Sequence, residues 1–388
     1  MIKKTLAGNA ALAEAMRQIN PDVVAAYPIT PSSYVVEIFS KYVADGTVQT
    51  EFVACESEHS AMSACVGAAA SGARAMTATA SQGLALMHEV LFNAAGLRLP
   101  VVLFNGNRAL SAPLSIHGDH SDAMAERDTG WIQLFAEDPQ EAYDLAIQAF
   151  RIGESLEVRT PVMVCYDAFD VSHMTVNVEL LADKEVQKFI GETVQVNPLL
   201  DFEKPVSYGT YTNPNFYFEC RRSQHEGLEN ARAKILEVGT EYDKLTGRDF
   251  GQHFESYKLE DADHAIVLLG SHAGIVKEAV DKLRADGQKV GLLRLRSFRP
   301  FPSSEIVEAV KHLKTLAILD RTMPSGATGG PLFNEINSAL KQADAATRTA
   351  NFIYSIGQRE FFPSHAEDIF HAMEAGKAEI VSFVNLRN

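Results

Sequence analysis

Three places in the chain set reactive side-chain types at the point where an apolar run ends. The first is Tyr27-Pro28-Ile29-Thr30-Pro31-Ser32-Ser33, which leaves a short Val/Ala run and opens a helical pattern. Thr30 there suits a helix cap, with Pro31 in the first helical position. A hydroxyl at a helix N-terminus is also a seat for a small carboxylate. The second is Glu56-Ser57-Glu58-His59-Ser60-Ala61. Glu58 shares a helical face with Met62, Cys65 and Ala69, so its carboxylate is expected on an apolar stripe. Burying it is costly without a strong partner, and burial favours sharing a proton with a nitrogen base. The plainer alternatives are an ion pair with a basic side chain, or a helix cap. The third is Asn105-Gly106-Asn107-Arg108-Ala109-Leu110-Ser111, after the most apolar run of the first half. A guanidinium at that strand end suits both oxygens of a small carboxylate, and a structural salt bridge is the alternative.

Other groups carry less. Glu51 and Glu56 lie off the apolar stripe, and His59 reads as a helix-start residue. The run His117-Gly118-Asp119-His120-Ser121-Asp122 has metal-ligand residue types but no companion cluster. Ser325 to Gly330 is glycine-rich, yet lacks both the P-loop ending and the dinucleotide spacing, and reads as a tight turn before a helix. Cys55, Cys65, Cys165 and Cys220 form no Cys-x-x-Cys pair and fit free thiols in a reducing cytoplasm.

These residues need a scaffold, and the pattern supplies one. Helices are expected at 8–19, 33–44, 57–71 and 139–154, with a further one following the strand-ending Ser81-Gln82-Gly83 and running to about Arg98. Strands are expected at 22–27, 48–53, 74–80, 100–105, 132–136 and 161–166, with a polar loop from Ala109 to Gly130. Such alternation means a parallel sheet covered by helices on both faces, with ligands beyond the carboxyl ends of the strands. From about residue 171 the pattern weakens into an irregular connection, then a polar helix over 219–245. A second α/β unit follows, with strands at 265–269, 289–295, 315–319 and 351–356 and a final helix from His365. The expected division is therefore 1–250 and 251–388.

The chain has 388 residues, of which 46% are hydrophobic, enough for two sizeable cores. Asp and Glu number 50 against 35 Lys and Arg, for a net charge of −15. That balance argues against nucleic-acid binding and against docking on anionic lipid. No apolar run approaches the ~20 residues of a membrane span, and the start lacks a secretory leader pattern. A cytoplasmic protein is expected.

An ordered set of motifs now adds a resemblance. Tyr27 to Ser33, Glu58 with its small-residue helix, Thr79-Ala-Ser-Gln-Gly83, Asn107 to Pro113, and Asp119 to Asp122 through Arg127 to Trp131 follow one another as in alpha subunits of pyruvate:ferredoxin oxidoreductases. Gly270 to Gly274 and Leu293 to Pro302 extend the likeness into the second unit. The resemblance implies a first domain like the pyrimidine-binding domain of thiamine diphosphate enzymes, and a second like the C-terminal domain of transketolase. It implies that Glu58 hydrogen-bonds N1′ of the cofactor's aminopyrimidine, favouring the imino form that removes the thiazolium proton. It implies that Thr30 and Arg108 hold the carboxylate of a 2-oxoacid. The reaction implied is oxidative decarboxylation of pyruvate, with electrons leaving through [4Fe-4S] clusters to ferredoxin and coenzyme A collecting the acyl group.

The chain departs from a self-sufficient enzyme of this kind. The Gly-Asp-Gly diphosphate signature is broken at Gly118-Asp119-His120, and no cluster-ligating cysteines occur. The resemblance therefore puts Mg2+, the diphosphate site and the clusters on beta, gamma and delta-type partner subunits. His117-Gly118 stands where pyruvate-using relatives carry a bulky aromatic and Asn, so an enlarged pocket for a branched, aryl or 2-oxoglutarate-type substrate is the alternative. Thr30 argues against oxalate, whose related subunit has Arg there. Two further readings compete: a scaffold that has lost the chemistry, and a transketolase-like transferase.

Overall fold

A computed structural model describes residues 1–387. The first part of the chain runs β1 (Ile2–Ala7), α1 (Gly8–Ile19), β2 (Val23–Ala26), α2 (Ser33–Ala44), β3 (Glu51–Ala54), α3 (Glu58–Ala70), β4 (Ala75–Thr79), α4 (Ser81–Leu86), α5 (His88–Gly96), β5 (Val102–Asn107), α6 (Ser121–Ala125), β6 (Ile132–Phe135), α7 (Pro139–Gly153) and β7 (Val162–Asp167). The connection holds β8 (Thr175–Leu180), α8 (Asp183–Ile190) and α9 (Pro214–Thr246). The last part runs β9 (Phe254–Tyr257), β10 (His264–Leu269), α10 (Ala273–Ala285), β11 (Val290–Leu295), β12 (Ser297–Arg299), α11 (Ser303–Val310), β13 (Thr315–Asp320), α12 (Pro331–Gln342), β14 (Arg348–Ile353), α13 (Pro363–Glu374) and β15 (Val381–Phe383).

The first sheet has the order β12-β6-β7-β5-β4-β2-β3. All its pairs are parallel except β12 with β6. The second has the order β15-β14-β13-β10-β11-β9, parallel except for β9. Helices α1, α2 and α7 bury one face of the first sheet around Leu12, Val35, Phe39, Phe104, Phe150 and Val164. The opposite face packs α3 and α5 and runs without a break into a core shared with β10, β11, α11 and α12. Helices α10 and α13 cover the far face of the second sheet.

The expected α/β fold is therefore present, with particular corrections. The helix expected between Gly83 and about Arg98 begins earlier, at Ser81, and is divided at Met87. The polar loop after Arg108 contains α6, and β15 rather than β14 ends the second sheet. The irregular connection hides β8, which pairs antiparallel with β1 in a two-stranded sheet, and the amphipathic α8. Thr30 does not cap α2: the Ser33 N–H reaches back to the Ile29 carbonyl at 2.9 Å, and the helix starts at Ser33 as expected, two residues after Pro31. Short β12 leaves the second unit and adds to the edge of the first sheet, tying the two together.

Candidate active site

The carboxyl ends of β2, β3, β4 and β5 lie side by side, so the segments after them meet in one crevice. Glu58 enters from the start of α3. Ser57 caps that helix by accepting the Ser60 N–H at 3.2 Å, which leaves the Glu58 side chain free of capping. The predicted stripe holds: Glu58, Met62, Cys65 and Ala69 are all buried. Glu58 itself is 6% exposed, and among the described residues its carboxylate has neither an ion pair nor a hydrogen bond. Both plainer readings of Glu58 thus lose their footing.

Gly83, on α4, makes room for it. A β-carbon added there would lie 2.6 Å from Glu58 Oε1 and 2.4 Å from the Thr79 hydroxyl. The Thr79 Oγ1 and Gln82 Nε2 atoms beside this turn are buried and have no partner. An unpaired carboxylate and orphaned polar atoms around a glycine-made space fit a hydrogen-bonding heterocycle such as an aminopyrimidine.

Arg108 leaves the end of β5 and is 7% exposed. Its Nε donates to the Ser115 carbonyl at 3.1 Å, and its Nη1 to the Thr30 carbonyl at 3.0 Å. The structure thus joins two of the predicted residues directly. Nη2 is left without a partner, and no carboxylate pairs with the guanidinium among the described residues. Burial lowers its pKa from 12.5, with nearby Asp122 pulling the other way. Thr30 is exposed at the rim. Ser32 links this side to Glu58's side: its hydroxyl donates to the Thr79 carbonyl at 2.6 Å.

Glu51 and Glu56 are exposed, and Glu56 only receives the Ser60 hydroxyl. The run after His117 scatters rather than converges. Asp119 accepts from Ser121 and Gly357, His120 meets Asp167 at 2.8 Å, and Asp122 turns into the crevice wall. Gly118 is buried, and a β-carbon there would lie 2.9 Å from the Ala168 carbonyl. That glycine packs closely against the chain just after β7. Sequence reasoning gave Gly83 and Asp122 no role in the site; both entered only as members of the motifs that carry the resemblance. A separate cavity of about 830 Å³ lies between the units, lined by Phe169, Asp170, Ser271, His272 and Phe361 among others. None of Thr30, Glu58 and Arg108 lines it.

Residues 14–240 match the family model described as pyruvate flavodoxin/ferredoxin oxidoreductase, thiamine diP-bdg. The chain belongs to this family. Residues 262–366 match the companion pyruvate:ferredoxin oxidoreductase core domain II. A pyruvate synthase subunit PorA from Thermotoga maritima is 50% identical over 94% of this chain and 92% of its own length. The corresponding Pyrococcus furiosus subunit is 42% identical over 100% of this chain and 98% of its own. A ketoisovalerate oxidoreductase subunit VorA of Pyrococcus abyssi is 41% identical over 97% and 96%. Among solved structures, a 2-oxoglutarate:ferredoxin oxidoreductase from Magnetococcus marinus superposes with TM-score 0.72 at 18% identity, over 96% of this chain and 65% of that one. A split-gene transketolase superposes at 0.57 and 13%, over 96% and 99%. Both share the two-unit α/β fold of this chain.

Proposed function

We propose that this chain is the alpha-type, thiamine-site subunit of a pyruvate:ferredoxin oxidoreductase, and that Glu58, Arg108 and Thr30 form its half of the active site. The observation that carries the reading is that Glu58 and Arg108, buried on one crevice of a family member, both lack a countercharge among the described residues. A scaffold gains little from such charges, because each costs desolvation that no ion pair offsets.

Bound thiamine diphosphate supplies the carbon nucleophile and the electron sink. Glu58, buried beside Gly83, would hydrogen-bond the aminopyrimidine at its N1′ position and pass a proton to and from it there. Arg108 offers its free Nη2, and the remaining N–H of Nη1, to the carboxylate of the 2-oxoacid. Its two carbonyl contacts fix the plane of the guanidinium before substrate arrives. The Thr30 hydroxyl adds a further donor at the rim.

Diphosphate and Mg2+ belong, in this reading, to a beta-type partner that closes the crevice. The [4Fe-4S] clusters that feed ferredoxin sit on partner chains, and coenzyme A is the acyl acceptor. The four cysteines are free and suit a reducing cytoplasm. Among the described residues no helix is long and apolar enough to cross a membrane.

Pyruvate is preferred over branched 2-oxoacids on two grounds. The 50% identical relative bears the pyruvate name, against 41% for the ketoisovalerate one, and Gly118 seals rather than opens space. The native complex should reduce a viologen dye with pyruvate and coenzyme A. It should do so with kcat/KM at least about tenfold above 2-oxoisovalerate or 2-oxoglutarate, the usual discrimination for one or more extra methylenes. A preference for a larger acid would reassign the substrate. A colourless complex with ketol-transfer activity would favour the transferase.

A further inference from the structure

The crevice wall holds one carboxylate with no shortage of partners. Asp122, the second residue of α6, is 1% exposed. Its Oδ2 accepts the Ser81 backbone N–H at 2.9 Å, the Asn105 side-chain amide at 3.2 Å and the Arg108 backbone N–H at 3.0 Å. Its Oδ1 accepts the Asn107 side-chain amide at 3.1 Å and the Ala123 N–H at 2.7 Å.

These donors come from both sides of the site. Ser81 opens α4, whose third residue, Gly83, lies against Glu58. Arg108 carries the guanidinium that reaches Thr30. Ser81 moreover sits at φ 51°, a backbone region that residues with a side chain avoid unless held. Two contacts hold it: the Asp122 carboxylate on its N–H, and the Ala109 carbonyl on its hydroxyl at 2.6 Å. Only an ionised carboxylate is acceptor-only on both oxygens; an amide in its place turns an N–H towards an N–H.

We propose that Asp122 is a positioning residue that couples the cofactor side of the crevice to the substrate side, by fixing the Ser81 turn beneath Glu58 and the Arg108 backbone on a single carboxylate. The coupling rests on the roles given above to Glu58 and Arg108. The physical part, one carboxylate governing two segments, does not.

The test uses the assembled complex carrying Asp122→Asn, with Asp119→Asn as the control from the same loop. Asp119 holds Ser121 and Gly357, not Ser81 or Arg108. Hydrogen–deuterium exchange without cofactor or substrate should quicken about tenfold or more in Asp122→Asn, at the amides of residues 79–84 and 107–109 together, as expected for a lost charged hydrogen bond. Leu110 is left out because its N–H rests on Ser121, which Asp119 holds. Asp119→Asn should leave both at the parental rate. In turnover, Asp122→Asn should lower kcat and raise KM for pyruvate, each by roughly tenfold or more. Adding Ser81→Gly separates the two effects. Glycine takes a positive φ unaided, so the double variant should regain much of kcat while KM stays high. Exchange that quickens in only one segment, or equal losses in the Asp119 control, would overturn the proposal. So would a glycine rescue that restores both constants or neither. Where Asp122→Asn does not assemble, Asp122→Glu moves the oxygens by one methylene and should give the same paired change in smaller degree. An active Glu58→Gln enzyme would remove the cofactor role while the exchange result still judged Asp122.

Discussion

At the seam between the two sheets, Glu141 of α7 is gripped by Arg294 at 2.8 and 3.0 Å and by Arg296 at 2.6 Å, with Glu137, Glu255 and Lys277 completing the cluster. In the crevice, Glu58 and Arg108 expose as little surface, though Arg108 lies nearer the solvent boundary, and neither has a countercharge among the described residues. Both regions remove ions from water. The seam repays that cost internally, through paired charges and bidentate hydrogen bonds. The crevice leaves it outstanding, to be met by whatever binds. Burial of charge alone therefore does not mark a site; burial without a partner does.

The strongest way to break this contrast is Glu58→Gln. The substitution should lower kcat by about 10²- to 10⁴-fold, the usual worth of a positioned proton-transfer group. The complex should still assemble, and the chain should be no less stable to denaturant, because an unpaired buried carboxylate has been removed. Near-parental turnover would show that the carboxylate is idle. Arg108→Ala comes next. It should raise KM for pyruvate by about 10- to 1,000-fold with a smaller effect on kcat, since a charged hydrogen bond to the substrate is lost. An unchanged KM would return the arginine to a purely structural place beside Ser115 and Thr30.

Arg294→Leu should behave in the opposite manner. It leaves Glu141, Glu137 and Glu255 crowded at the seam, and should cost about 3–5 kcal/mol of stability, read from the urea midpoint of the isolated chain. KM should stay where it was. If this variant lost substrate affinity while keeping stability, the division between paired and unpaired regions would be wrong.

The residues themselves show which parts of this picture a sequence can carry. The Glu58–Met62–Cys65–Ala69 face is local, set by helical spacing, and it is buried as expected. Helix boundaries were also read well: α1 and α2 match to the residue without a side-chain cap, and α7 starts as expected where Asp138 accepts the Glu141 N–H at 2.8 Å. What stayed hidden is non-local. β1 pairs with β8 across more than 160 residues, and no periodicity announces that. β12 crosses to the first sheet on three residues. Gly83 looks like any turn glycine until Glu58 arrives from a different helix. Asp122 looked like one member of a loose His/Asp run, because its partners Ser81 and Arg108 are 41 and 14 residues away. Arg108 was picked out by type and place, but its lack of a countercharge needed coordinates.

The finest test of the contrast is in acid, where paired carboxylates should betray themselves. Burial alone would raise Glu141, but Arg294 and Arg296 outweigh it and hold the carboxyl down to about 2, against an ordinary 4.5. A carboxyl depressed on folding contributes fully above its ordinary value and loses that contribution as pH falls through the folded one. The window is therefore pH 4.5 down to about 2. Across it the shift is worth about 3 kcal/mol at roughly 1.4 kcal/mol per unit. Glu137 in the same cluster is raised by burial and works in the opposite sense, so the measurement is a difference between variant and parent. Glu141→Gln should flatten the decline of the urea midpoint between these pH values and lower the plateau above them. Arg108→Ala should leave the slope unchanged, since no depressed carboxyl depends on that guanidinium. A parental slope in Glu141→Gln would mean that the seam does not repay its buried charge through this carboxylate, and the distinction between the two regions would have to rest on the crevice alone.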